Sequence, residues 1–180
     1  SGEGKSFVAR HLAAAYAQMG RKTILVGFDL RKGEQFKEVQ HTEGQTLSAF
    51  YLNRCNMGDI IVPLEQPNLF AIPTGVVPPN PLKLITSDQT RQLLARLKED
   101  FDHIIIDTPP VGIVSDAFLL MHHAQVNLIV TREKLSRKRI IQSILNDMAD
   151  KQIDNLAFIL NASSLAHRKY QYKYYHPKKA

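Results

Sequence analysis

Cysteine is almost absent from this 180-residue chain, and the absence removes whole classes of function. The single Cys55 excludes an internal disulfide framework and has no companions for a sulfur-ligated metal cluster, so it reads as a structural residue. No stretch approaches the roughly 20 apolar residues needed to cross a bilayer, and no charged-then-apolar leader stands at the start. The expectation is a soluble, cytosolic piece. Internal repeats are missing too. Acidic residues stop at Asp154, and Arg168, Lys169, Lys173, Lys178 and Lys179 follow. Those five cations account for most of the net charge of +6 and leave the body near +1. The basic excess therefore belongs to a tail, which argues against a broad nucleic-acid-binding face. What is present is 44% hydrophobic content, enough for one globular domain with a sizeable core.

The chain opens on Ser1-Gly2-Glu3-Gly4-Lys5-Ser6 and runs directly into an apolar segment of helical spacing. Gly-Lys-Ser ends the phosphate-binding pattern in which a first glycine precedes by five residues. That glycine would fall two residues before Ser1, so the expectation is an N-terminally truncated loop that binds ATP poorly when made alone. Small residues let consecutive amides turn inward on phosphate oxygens, and the helix behind them adds its positive dipole end. Lys5 then reaches the outer phosphates and the Ser6 hydroxyl ligates magnesium. A glycine-rich turn capping an ordinary helix is the competing reading of so short a pattern.

Phe7–Met19 has helical spacing and ends at Gly20, where a C-capping glycine is expected. Lys22–Asp29 is β-branched and apolar, as suits a strand buried on both faces. The pattern continues with a short helix over Thr46–Asn53, a strand over Leu69–Ile72, and a rigid loop over Pro73–Pro81. Ser87–Asp100 reads as a helix, His103–Asp107 as a strand, and Thr108-Pro109-Pro110 as an abrupt turn. Ser115 or Asp116 is placed to cap the next helix. A strand over Val126–Thr131, a helix over Ser136–Asp150 and a strand over Asn155–Asn161 complete the body. Such alternation predicts a doubly wound α/β fold with a mostly parallel sheet that lacks its first, central strand. The domain is placed at 1–162 and a basic, tyrosine-rich tail at 163–180. In these sheets ligands bind beyond the carboxyl ends of the strands, so Asp29, Asp107 and Asn161 should share one crevice with the loop.

Ile104-Ile105-Ile106-Asp107 has the form of a Walker B strand, in which a carboxylate orients magnesium opposite the loop serine; a strand-end turn former is the plain alternative. Gly27-Phe28-Asp29-Leu30-Arg31-Lys32 follows the first strand. This segment resembles the Walker A' motif of the bacterial tyrosine kinases, P-loop autokinases tied to capsule and exopolysaccharide export, whose strand ends Asp-x-Asp-x-Arg-Lys-Pro. Asp29, Arg31 and Lys32 match; Gly27 stands where the first acid belongs and Gly33 where proline belongs. Pro78-Pro79-Asn80-Pro81, Asp107-Thr108-Pro109-Pro110-Val111 and Ser115-Asp116-Ala117 extend the likeness over nearly the whole chain. Plasmid-partition and septum-positioning ATPases share the fold but are not expected to carry the Pro-Pro-Asn-Pro loop.

The resemblance implies ATP and Mg2+ as cofactors. It implies a nucleotide site at Gly2, Glu3, Gly4, Lys5, Ser6 and Phe7, with Asn161 toward adenine, magnesium at Ser6, Asp107 and Asp29, and catalytic roles for Lys5, Asp29 and Asp107. It makes Tyr170, Tyr172, Tyr174 and Tyr175 the phosphoacceptors. The tail carrying them has no apolar periodicity and no acid, so a solvated terminus or a segment adhering to phosphate or anionic lipid competes with that role. The nine steps from Asn161 to Tyr170 span at most roughly 30 Å, which reaches either its own site or a neighbour's. Implied partners are further copies in a ring-like homo-oligomer and a membrane-embedded polysaccharide co-polymerase segment, at the cytoplasmic face of the inner membrane, with no nucleic acid. A non-catalytic nucleotide-binding regulator, motivated by Gly27, and a partition-type ATPase are the alternatives.

Overall fold

The structure, a computed structural model, describes residues 2–33, 36, 39, 42, 44–111 and 116–163. The first helix, α1 (Lys5–Gln18), leads into strand β1 (Thr23–Gly27). Helix α2 (Leu47–Tyr51) and a 3-10 turn (Met57–Ile60) precede the hairpin strands β2 (Val62–Pro63) and β3 (Leu69–Ile72). Helices α3 (Pro81–Ile85) and α4 (Asp88–Asp100) lead to β4 (His103–Asp107). The order finishes with α5 (Asp116–Met121), β5 (Asn127–Arg132), α6 (Lys138–Asp150) and β6 (Leu156–Asn161).

Strand β1 is the centre of the main sheet. It is parallel to β3 on one side and to β4 on the other, with β2 antiparallel beyond β3. All five of its residues are buried, as its uninterrupted β-branched and apolar run predicts. Alternate side chains enter two cores. Ile24 and Val26 join Phe28, Leu93 and Leu97 beneath α4, while Leu25 meets Ala9, Ala13 and Ala17 of α1. The alanines recur every fourth residue, so α1 presents a low ridge and lies close against the sheet. Ser87 caps α4 by accepting from the Thr90 amide. Both faces are thus covered, and the doubly wound α/β, mostly parallel architecture is present.

The strands are divided between two ladders. β5 and β6 pair in parallel over six positions and form their own two-stranded sheet. Among the described residues no ladder joins β4 to β5, and β4 is correspondingly half-exposed along four of its five residues. A third small core, formed by Phe118, Met121, Ile129 and Met148, ties the second sheet to α5 and α6. Three short elements also escape the periodicity reading: the 3-10 turn, β2 and α3. Each is under six residues, too short for a period to show. Residues 112–115 and 164–180 lie outside the described residues, and with them Ser115, Tyr170, Tyr172, Tyr174 and Tyr175. No helix among the described residues is long and apolar enough to cross a membrane.

Candidate functional site

The loop from Gly2 to Ser6 lies where the two ladders end. Gly4 precedes α1 with φ 93° and ψ 27°, a left-handed conformation that favours glycine. A Cβ placed there would stand 2.2 Å from Asn161 Nδ2, so the position requires glycine on both backbone and steric grounds. α1 follows without a side-chain cap, and its first amides point out of the helix end. Amides free of a side-chain cap beside a lysine are the donor set that a phosphate group needs.

The carboxyl ends of the strands converge on this loop. Ser6 stands close enough to Asp107, at the end of β4, for its hydroxyl to act on that carboxyl. Asp107 is only 3% exposed. Burial pushes its carboxyl above the ordinary range and the Asp29 charge adds to the shift, while the Ser6 hydroxyl and the Lys5 and Arg10 charges pull the other way. Asp29 is also buried, just beyond β1, and its Oδ1 accepts from the Lys32 amide at 3.2 Å. Gly27 and Asp107 are register partners across β1 and β4. An acid at position 27 would therefore stand directly beside Asp107.

The second ladder grips the loop backbone. Asn161 Nδ2 donates to the Glu3 carbonyl at 2.9 Å, and Arg132 Nη1 donates to the Gly2 carbonyl at 3.0 Å. These two residues are the last register pair of β5 and β6. The structure thus engages the Asn161 amide with the loop itself, its Oδ1 accepting from the Ala162 amide at 2.8 Å. Lys5 Nζ lies 2.9 Å from Glu3 Oε2. Phe7 is 52% exposed and its ring rests on His11 at 3.9 Å between centroids.

Gly2, Glu3, Gly4, Lys5, Ser6, Asp29, Asp107 and Asn161 are therefore gathered in one region, while Phe7 turns its ring away along α1. Arg132 and Arg10 were not anticipated. Arg132 closes a strand as Asp107 and Asn161 do, and extending the predicted β5 by one residue past Thr131 would have flagged it. Arg10 stands one turn after Ser6, whose carbonyl accepts from its Nε at 3.3 Å. A separate surface cavity of about 680 Å³ among Leu82, Phe118, Leu119 and Lys151 holds none of these residues.

The donor set suits a magnesium–nucleotide complex. No cluster of three His, Cys, Asp or Glu that could hold a metal ion alone occurs among the described residues. One hydroxyl and one or two carboxylates, however, are what a P-loop contributes when phosphate oxygens complete the shell.

The AAA domain family matches residues 1–151. Tyrosine-protein kinase CpsD of Streptococcus agalactiae serotype Ia is 33% identical over 166 residues, 91% of this chain and 71% of that protein. The chain belongs to the bacterial tyrosine kinase family. The kinase domain of Escherichia coli tyrosine kinase ETK superposes with a TM-score of 0.83 at 29% identity, covering 89% of this chain and 63% of that one. The septum site-determining protein MinD of Pyrococcus horikoshii, solved with Mg-ADP, gives a TM-score of 0.73 at 25% identity, covering 93% of this chain and 70% of that one. The kinases and the septum ATPase thus share one P-loop fold, and the kinase neighbour lies nearer. Of some relatives the chain spans far less: 22% of tyrosine-protein kinase ptk of Acinetobacter johnsonii, at 32% identity over 158 residues.

Proposed function

We propose that the chain is an ATP-dependent tyrosine autokinase whose acceptors are Tyr170, Tyr172, Tyr174 and Tyr175 in its own tail. The observation that carries this reading is the gathering of Lys5, Ser6 and the buried carboxylates Asp107 and Asp29 at the uncapped start of α1. It joins the loop to the Walker B carboxylate in the relation that a magnesium-bound phosphate requires. Gly2 to Phe7 hold the nucleotide phosphates through amides and Lys5. Ser6, Asp107 and Asp29 are the residues that hold magnesium, which when bound neutralises charge developing on the transferred phosphoryl group.

Phosphoryl transfer asks the protein mainly for placement and charge. A tyrosine hydroxyl, with a pKa near ~10, is mostly protonated at neutral pH, so a carboxylate beside it assists its attack. Asp29 takes that role: it is buried, fixed by the Lys32 amide, and near enough to Asp107 for their charges to interact. The tail's reach admits a neighbouring copy, and the reading places the kinase in a ring-like homo-oligomer beside a membrane-embedded polysaccharide co-polymerase segment, on the same or a separate chain. Phosphorylation there regulates capsular or exopolysaccharide synthesis and export at the cytoplasmic face of the inner membrane.

The test is incubation of the full-length protein with ATP and magnesium, followed by mass spectrometry of the tail. Phosphate on the Tyr170–Tyr175 cluster that disappears in Lys5→Met is expected; an unlabelled cluster, or label indifferent to Lys5, rejects the reading. Gly27 favours a second reading, a nucleotide-binding regulator without phosphotransfer. That reading predicts nucleotide binding with no tail phosphate, and gain of labelling in Gly27→Asp.

A further inference from the structure

Glu3 lies inside the phosphate-binding loop but contributes something that loop chemistry does not ask for: a negative charge. Its Oε2 is 2.9 Å from Lys5 Nζ, and the two side chains are only 22% and 26% exposed respectively. The backbone under this pair is held by other groups, with Asn161 on the Glu3 carbonyl and Arg132 on the Gly2 carbonyl. Two of the loop's backbone carbonyls thus have partners other than this carboxylate. Burial alone raises the Glu3 pKa, but hydrogen bonds and charge, foremost those of the Lys5 ammonium, bring it down to about 2. The side chain is an anion throughout the neutral range.

In a phosphate-binding loop the lysine reaches the outer phosphates of the nucleotide. Here that ammonium already has an anionic partner from its own loop. A polyphosphate approaching Lys5 must either displace the carboxylate or settle beside it, and like charges a few ångströms apart in a partly desolvated site repel strongly.

We infer that Glu3 is an internal competitor for Lys5, a carboxylate standing where an outer phosphate binds, which lowers the affinity of the site for nucleoside di- and triphosphates and favours release of the diphosphate product. This inference rests on the phosphate-binding reading of the loop and adds to it a residue that sets affinity. It differs from a structural role at the start of α1, where a carboxylate would simply stabilise the helix terminus. A structural role predicts a lower melting temperature in the variants and no distinction between ligands that carry phosphate and those that do not.

The experiment is calorimetric titration of ADP, ATP and adenosine into the full-length protein in magnesium buffer. It compares the natural sequence with Glu3→Gln, Glu3→Ala, Lys5→Met and the Glu3→Gln/Lys5→Met double variant. Both Glu3 variants are expected to bind ADP and ATP roughly tenfold more tightly and adenosine unchanged, with the gain abolished in the double variant. Unchanged or weaker ADP binding in both Glu3 variants, or an equal gain for adenosine, overturns the inference while Lys5-dependent binding leaves the phosphate site standing. ADP binding that is equal in the natural protein and in Lys5→Met overturns the site reading and the inference together.

Discussion

Asp107 shows how a site residue can be costly to the fold that holds it. Its pKa is raised chiefly by burial and then by Asp29, so the folded state holds a proton more tightly than the unfolded chain does. The stability contributed by that proton is complete below the ordinary carboxylate pKa and is lost as pH rises through the raised value. Asp107→Asn removes the charge and keeps the shape. The nucleotide-free variant should melt higher, by about 2–4 °C per kcal/mol relieved, and its stability should fall less between pH 4 and 7 on thermal scans, while tail labelling disappears. Gly4 makes the opposite trade. Gly4→Ala brings a methyl against Asn161 in a left-handed backbone, costing about 1–3 kcal/mol, and titration should show loss of nucleotide binding even where the fold survives. Arg132 holds the loop through the Gly2 carbonyl. Arg132→Met is expected to raise the KM for ATP several-fold with kcat nearly unchanged, with partial rescue by Arg132→Lys, since it weakens positioning rather than chemistry.

Elements were legible in the sequence wherever a period or an apolar run had room to repeat. Leu69–Ile72 and His103–Asp107 are strands with the predicted bounds, and α4 starts one residue after its Ser87 cap. The 3-10 turn, β2 and α3 have no such room, and tertiary packing decides them. α2, expected as a short helix over Thr46–Asn53, is also fixed in place by distant contacts. Its Tyr51 hydroxyl meets Thr90 Oγ1 at 2.6 Å, and Thr90 in turn donates to the Leu84 carbonyl at 2.7 Å, so one buried chain of hydrogen bonds pins α2, α3 and α4 together. Nothing in the local spacing of Tyr51 announces a partner 39 residues away. Tyr51→Phe leaves Thr90 satisfied by Leu84, so chemical denaturation should report a loss of only about 0.5–1.5 kcal/mol with an unchanged slope. At the site, Asp29, Asp107 and Asn161 come to the loop because parallel strands deliver their carboxyl ends to one side of the sheet. The Glu3–Lys5 pair escapes it, because a contact two residues apart in a loop depends on backbone angles that residue types do not encode.

At the scale of the whole molecule, two ladders end at one loop: Ser6 lies near Asp107 at the end of β4, and Arg132 at the end of β5 bonds Gly2. Between them, among the described residues, the outer edges of β4 and β5 carry no strand partner. Unpaired parallel edges present rows of amide and carbonyl groups that invite a strand from elsewhere. That interval is expected to take up a strand from a second copy of the chain as concentration rises. Hydrogen–deuterium exchange would register this as slowing of the β4 amides from dilute to concentrated solution; β4 exchange independent of concentration would refute it. Oligomers of the chain would then report backbone borrowing across the interval.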